Sequence, residues 1–403
     1  MGAIAAGLAG AAIVGVVVLD QGSESRSPEQ LPSAGSLQAP PWGFMGNWQD
    51  YCYRPVATPP GYAVHTLNPG ESCSARATRF TTAQQLELVA RAGATTARLP
   101  VSWAKVESRA PVRRGNATVH TYEWARVVGV YREMLAAGIR PVVLVFGAPA
   151  WARPPGWRRP GTCQARGKPC AYLPAVRHLP DWRRFVEELV RRVPELLALE
   201  VWNEPNLPRF FAPRPSPPLY ARLLQLAHSA GQATGTHAPI LAGGLAPTAG
   251  GVTDAIPPAR FLADVYRLAG KASFGGIATH PYPHGPPWVA SMTRNLDQLR
   301  RVRARFGDQR TPLWITEVGV GGKPGPRLPG SVDLARQGPI LAHMYRSIQG
   351  KDVRAFLIYS LRDIPKEGPK YEPFGVVRAN LQPKPAYCYL ARELGGLSRC
   401  SGE

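Results

Sequence analysis

The stretch Leu199-Glu200-Val201-Trp202-Asn203-Glu204-Pro205-Asn206 and its counterpart Trp314-Ile315-Thr316-Glu317-Val318-Gly319 decide how this chain reads. Each is a short apolar run that ends in a glutamate and then breaks at Pro or Gly. Such a run predicts a strand buried on both faces of a parallel sheet, with a carboxylate carried to its C-terminal tip. Two facing carboxylates are what cleavage of a glycosidic bond requires. One is protonated to release the leaving oxygen, and the other is ionised to attack the sugar carbon or activate water.

Working outward, eight strand-like segments lie along the chain: Trp42–Trp48, Thr95–Trp103, Pro141–Ala148, Leu196–Asn203, Pro239–Leu245, Gly275–Tyr282, Pro312–Val318 and Val353–Ser360. Helical apolar spacing falls between them at Thr82–Ala92, Tyr122–Ala137, Asp181–Arg192, Leu219–Thr234, Pro258–Ala269, Met292–Phe306 and Leu334–Ile348. Thr82, Asp181 and Ser291 read as helix N-caps, and Gly93 and Gly138 as helix stops. Strand–helix alternation of this count predicts an α/β fold closed into a (β/α)8 TIM barrel, rather than an open sheet. No repeat of solenoid or propeller period is visible.

The 403 residues fit one barrel with long loops, spanning 42–403. Before it, Ala3–Leu19 is apolar and reads, within residues 1–19, as an export segment or membrane anchor; residues 20–41 form a polar, Pro-containing linker. Six cysteines form three sequence-local pairs, 52–73, 163–170 and 388–400, which downstream of an export segment read as disulfides in an oxidising compartment. The expected location is therefore secreted or cell-surface. Lys plus Arg number 48 against 27 Asp plus Glu, a net charge of +21. The arginines are scattered along helices without a nucleic-acid motif, so the plain reading is a basic solvated surface, and the charge also favours an anionic wall polymer, membrane or acidic sugar. The irregular insert Ala150–Pro180, after the third strand, should overhang the cleft. It carries Trp151, Trp157, Arg153, Arg158, Arg159, Arg166, Lys168 and Arg177, a set suited to stacking on sugar rings and to an acidic or phosphate-bearing glycan.

On these residues the chain resembles the retaining glycoside hydrolases of clan A, (β/α)8 barrels in which an Asn-Glu-Pro acid/base follows strand 4 and a nucleophile ends strand 7. The segment Glu200 to Leu207 followed by Phe210-Phe211 is most similar to family 39, of β-xylosidases and α-L-iduronidases, with family 5, the cellulase type, next. The resemblance covers roughly residues 42 to 390. It implies Glu204 as acid/base and Glu317 as nucleophile, with no cofactor and no metal. Arg98 near the end of strand 2, and His280 and Tyr282 at the end of strand 6, are implied to support the nucleophile and the sugar site. Asn203 is expected to hold the sugar 2-hydroxyl, and Trp103, Trp151 and Tyr359 to contact sugar. A buried Arg98 also demands an acidic neighbour, a structural ion pair being the alternative. His280 with His284 is a rival reading as metal ligands, without a third ligand motif. Strand 8 offers Tyr359 where clan A often has tryptophan, and strand 3 lacks the histidine common in family 5. Two other functions fit the same residues: a catalytically inactive barrel that binds wall glycans through Trp151, Trp157 and Trp288, and a transglycosylase.

Overall fold

The computed structural model describes residues 39–49, 51–53, 78–157, 164–165, 168–169, 171–248, 253–322, 331–365, 371–396 and 400. Eight strands close into a barrel: β1 (Trp42–Met45), β2 (Thr96–Ser102), β3 (Arg140–Phe146), β4 (Ala198–Val201), β5 (Ile240–Leu245), β6 (Gly276–Thr279), β7 (Leu313–Val318) and β8 (Val353–Tyr359). All pairings are parallel between chain neighbours, and β8 closes onto β1 with Trp42 opposite Phe356. Between and after the strands run α1 (Thr82–Arg91), α2 (Ala125–Ala136), α3 (Leu179–Arg192), α4 (Pro217–Thr234), α5 (Pro258–Ala269), α6 (Trp288–Arg305), α7 (Leu334–Ile348) and α8 (Pro385–Glu393). This is the TIM barrel that the alternation predicts. The eighth helix, α8, was not foreseen, because Pro-rich sequence separates it from β8.

Strand side chains alternate between two cores. Leu199 and Val201 of β4 join the layer between strands and helices, while Ala198 joins Val142, Leu241, Ala278, Trp314, Ala355 and Leu357 inside the barrel. Period-two alternation then assigns Glu200 to the barrel interior, and Arg98, between the outward Ala97 and Leu99, likewise. Each large apolar side chain removed from water contributes about 1.5–3 kcal/mol, enough across these layers to hold a few polar groups at the mouth.

Helix ends depart from the expected caps. Thr81, not Thr82, caps α1, in a capping box with Gln84. Asp181 sits in the first turn of α3 and takes His178 Nδ1 at 2.8 Å, and α6 begins at Trp288, ahead of Ser291. Gly93 and Gly138 do end their helices, at φ of 75° and 73°. Cys388 is bridged to Cys400, which ties α8 to the following tail. The pairs 52–73 and 163–170, the apolar run Ala3–Leu19 and the cations Arg158, Arg159 and Arg166 lie outside what is described, as does the Lys168 side chain. Among the described residues no helix is long and apolar enough to cross a membrane.

Candidate active site

Arg98 organises the barrel mouth. Its side chain is 0% exposed. Nε and Nη2 donate to the two oxygens of Glu200 at 2.8 and 2.9 Å, Nη2 also to Asn203 Oδ1 at 2.9 Å, and Nη1 to Glu317 Oε1. The guanidinium therefore serves a structural ion pair and Glu317 at once, uniting the two readings of Arg98. Burial opposes its charge, yet Glu200 and then Glu317 raise its pKa above the ordinary arginine value. Glu200 is completed by Thr316 Oγ1, which donates to Oε1 at 2.9 Å.

Glu317 and Glu204 face each other across this mouth. Tyr282 donates its hydroxyl to Glu317 Oε2 at 3.0 Å, and His280 Nδ1 lies 2.9 Å from Glu204 Oε1 and 3.7 Å from Glu317 Oε2. One donor atom from each of Glu204, His280 and Glu317 lies within 4.8 Å of the others. Trp202 and Glu204 both adopt left-handed backbone, at φ of 72° and 44°, and Glu204 N–H donates to Gly244 O at 3.2 Å. Non-glycine residues in that region cost on the order of 1–3 kcal/mol each, so the turn that aims Glu204 is held by its surroundings. Among them, the Trp202 indole donates to Phe210 O and packs edge-on against Phe211.

The electrostatics separate the two glutamates. Burial pushes Glu204 up to about 7, with Arg98 and Arg209 partly opposing, so it holds a proton near neutrality. Glu317 instead accepts from a guanidinium and a phenol. Burial also brings His280 down to about 4, keeping the imidazole neutral, and pushes the Tyr282 hydroxyl well above 10 so that it stays a donor. Glu204, His280 and Glu317 are spaced as cation ligands would be, but Arg98 already neutralises Glu317, which opposes a second positive charge. His284 is exposed and outside this cluster.

Of the other expected residues, Asn203 is fixed by Arg98 on Oδ1, leaving its NH2 end as the donor. Tyr359 is half-buried and packs edge-on against Tyr282 and Phe374, beside Glu317. Trp103 corrects the reading: it is 0% exposed, donates to Glu107 Oε2 at 2.7 Å and stacks on Phe185, so it has no face left for a sugar. Trp151 is half-buried, its indole on Glu107 O and its ring edge-on to Trp103. Trp288 lies in a groove with Ile340 and His343 of α7. Glu200, Thr316 and Gly244 were not anticipated. A Cβ on Gly244, at φ 77°, would stand 2.5 Å from Glu200 Oε1 and 3.3 Å from His280 Nε2, so only glycine fits. The available signals were the alternation that turns Glu200 inward with Ala198, and the double glycine of β5.

The described residues form a closed parallel barrel with two carboxylates at its C-terminal mouth. No protein-family model matches the chain, and no curated protein sequence does. Solved structures do. A family 39 glycoside hydrolase from the gut symbiont Bacteroides cellulosilyticus WH2 aligns at 19% identity and TM-score 0.57, over 78% of this chain and 60% of that one. A family 39 enzyme from Xanthomonas axonopodis pv. citri aligns at 16% and 0.55, over 77% and 62%. A monomeric β-xylosidase from Caulobacter crescentus CB15 aligns at 18% and 0.58, over 77% and 64%. The match therefore spans less than two thirds of the length of these relatives. The likeness is one of fold, and it is to the family 39 barrel.

Proposed function

We propose that the chain is an exported retaining glycoside hydrolase that cleaves an oligo- or polysaccharide by double displacement. The observation that carries this reading is the pair of opposed carboxyl groups, Glu204 raised to about 7 and Glu317 on Arg98 and Tyr282, with an oxygen of each within 4.8 Å of the other. Retaining enzymes hold their carboxyl groups about 5–5.5 Å apart, whereas inverting ones leave about 6.5–9.5 Å for a water. Glu204 donates its proton to the leaving oxygen as Glu317 attacks the anomeric carbon, forming a glycosyl ester. Glu204, now ionised, takes a proton from water, which displaces Glu317 and regenerates both groups. Asn203, whose Oδ1 is taken by Arg98, donates its NH2 to a sugar hydroxyl in this reading, and Tyr359 meets the ring. A bridge between Cys388 and Cys400 favours an oxidising compartment, and with the apolar run Ala3–Leu19 it supports export. The net charge of +21 favours an acidic or phosphate-bearing glycan.

Substitution tests the roles. Glu317→Ala should lose all turnover, since no ester can form. Glu204→Ala should give a burst on a dinitrophenyl glycoside and then stall, and azide, which needs no base, should restore turnover with a retained-configuration glycosyl azide. Wild-type rates for either variant on an ordinary glycan would overturn the assignment.

A further inference from the structure

A cleft of about 760 Å³ opens over the ends of β1, β2 and β3. It borders the Glu204 loop at Phe210, and its lining residue Trp48 donates to Arg98 O at 2.6 Å. Phe146, Tyr172 and Phe210 are among its lining residues. Its charged lining is Lys105, Arg126 and Arg153 against Glu123, three cations to one carboxylate.

Arg153, which lines this cleft, and Arg209, whose guanidinium lies against its lining residue Phe210, differ from Arg98, Arg300 and Arg303. Arg98 carries Glu200 and Glu317, and Arg300 and Arg303 share Asp352. Arg153 is half-buried, donates Nε to Ala148 O at 3.0 Å and lays its guanidinium 4.2 Å above Tyr172. No carboxylate among the described residues pairs with it. Arg209 is half-buried, its guanidinium 4.9 Å from the Phe210 ring and its Nε buried without a hydrogen-bond partner. Ala171 N–H donates to Arg209 O at 3.0 Å, which brings the Arg209 backbone against the Tyr172 segment under Arg153. Half-burying a guanidinium without an anion is unfavourable, and a planar fork with its Nη atoms uncommitted is shaped for an oxyanion.

We propose that this cleft is a subsite for a sugar bearing an oxyanion substituent, with Arg153 and Arg209 receiving the anion. The proposal rests on the glycosidase reading for what happens to the bound glycan, and it names the substrate class and the two specificity residues. Lys105 and Arg126 at the rim draw the acidic chain in, and Glu123 disfavours a second anion beside it.

Binding tests it separately from turnover. Titrate the full chain with matched pairs that differ only in charge: tetragalacturonate against its methyl ester, a glucuronate-containing against a glucose-containing oligosaccharide, and a phosphorylated against an unphosphorylated oligosaccharide. In at least one pair the acidic member should bind about tenfold or more tighter, the worth of a charge-assisted hydrogen bond. The preference should shrink between about 20 mM and about 500 mM salt. Arg153→Gln and Arg209→Gln should each bring the pair toward parity with neutral binding and melting temperature unchanged, while Arg310→Gln on the exposed surface should not. Which pair responds separates sugar carboxylates from phosphates. Glu317→Ala should keep the preference, so failure of the glycosidase reading leaves this result standing. Equal binding within every pair, or a preference that survives both substitutions or falls as much with Arg310→Gln, overturns the proposal.

Discussion

Replacing Glu204 by glutamine should stabilise this protein above neutral pH while removing its turnover of unactivated glycosides. Burial takes the Glu204 carboxyl from an ordinary 4.5 to about 7. At about 1.4 kcal/mol per pH unit, the folded chain gives up about 3 kcal/mol when this group ionises in place. The sign follows from where the proton is held. A carboxyl whose pKa is raised on folding keeps its full contribution below about 4.5, loses it as pH rises toward 7, and burdens the fold above that. Glutamine has the same shape, still reaches His280 and never ionises. Urea unfolding of the two proteins should therefore coincide near pH 4.5 and diverge to about 3 kcal/mol in favour of Glu204→Gln by pH 8.5. In the wild type the same ionisation should end acid catalysis, so kcat/KM on a glycoside with an unactivated leaving group should fall above about pH 7. A Glu204→Gln protein no more stable than wild type at pH 8.5, or a difference that does not change with pH, would refute the reasoning.

Arg98→Met strips Glu200 of both its guanidinium donors and leaves Glu317 without its cation, and should cost about 3–5 kcal/mol in urea unfolding, the penalty for breaking a buried pair. Trp103→Phe removes the 2.7 Å donor to buried Glu107 and should cost about 1–3 kcal/mol while leaving KM unchanged, because the ring never meets the cleft. Cys388→Ser opens a bridge across a sequence separation of 12 and should lower stability in urea unfolding by about 3 kcal/mol relative to the wild type, by the loop-entropy estimate.

The barrel and its two glutamates were legible in the sequence, because a strand buried on both faces is uniformly apolar and a carboxylate at its tip stands out. Glu204 and Glu317 needed nothing more than that contrast. What they are joined to was a different matter. Arg98 meets Glu200 across 102 residues and Glu317 across 219, distances that only closure of the barrel spans. Strict alternation from Trp314, which points inside, would turn Glu317 toward the helices; a register irregularity between Ile315 and Val318 re-aims the strand end and brings it over the mouth. The left-handed turn at Trp202 and Glu204 and the glycine-only approach of Gly244 are of the same kind, since neighbouring backbone enforces them. Trp103 is a sugar contact by the resemblance, yet it is buried against Phe185 and Glu107. Apolar pattern and charge contrast are local, so the sequence by itself determined the architecture and singled out the two glutamates at the strand ends. Side-chain direction at a strand end depends on bulges and on the strands alongside, so the tertiary structure alone decided that Glu200 anchors Arg98, that Glu204 holds its proton, and which aromatic rings meet the cleft.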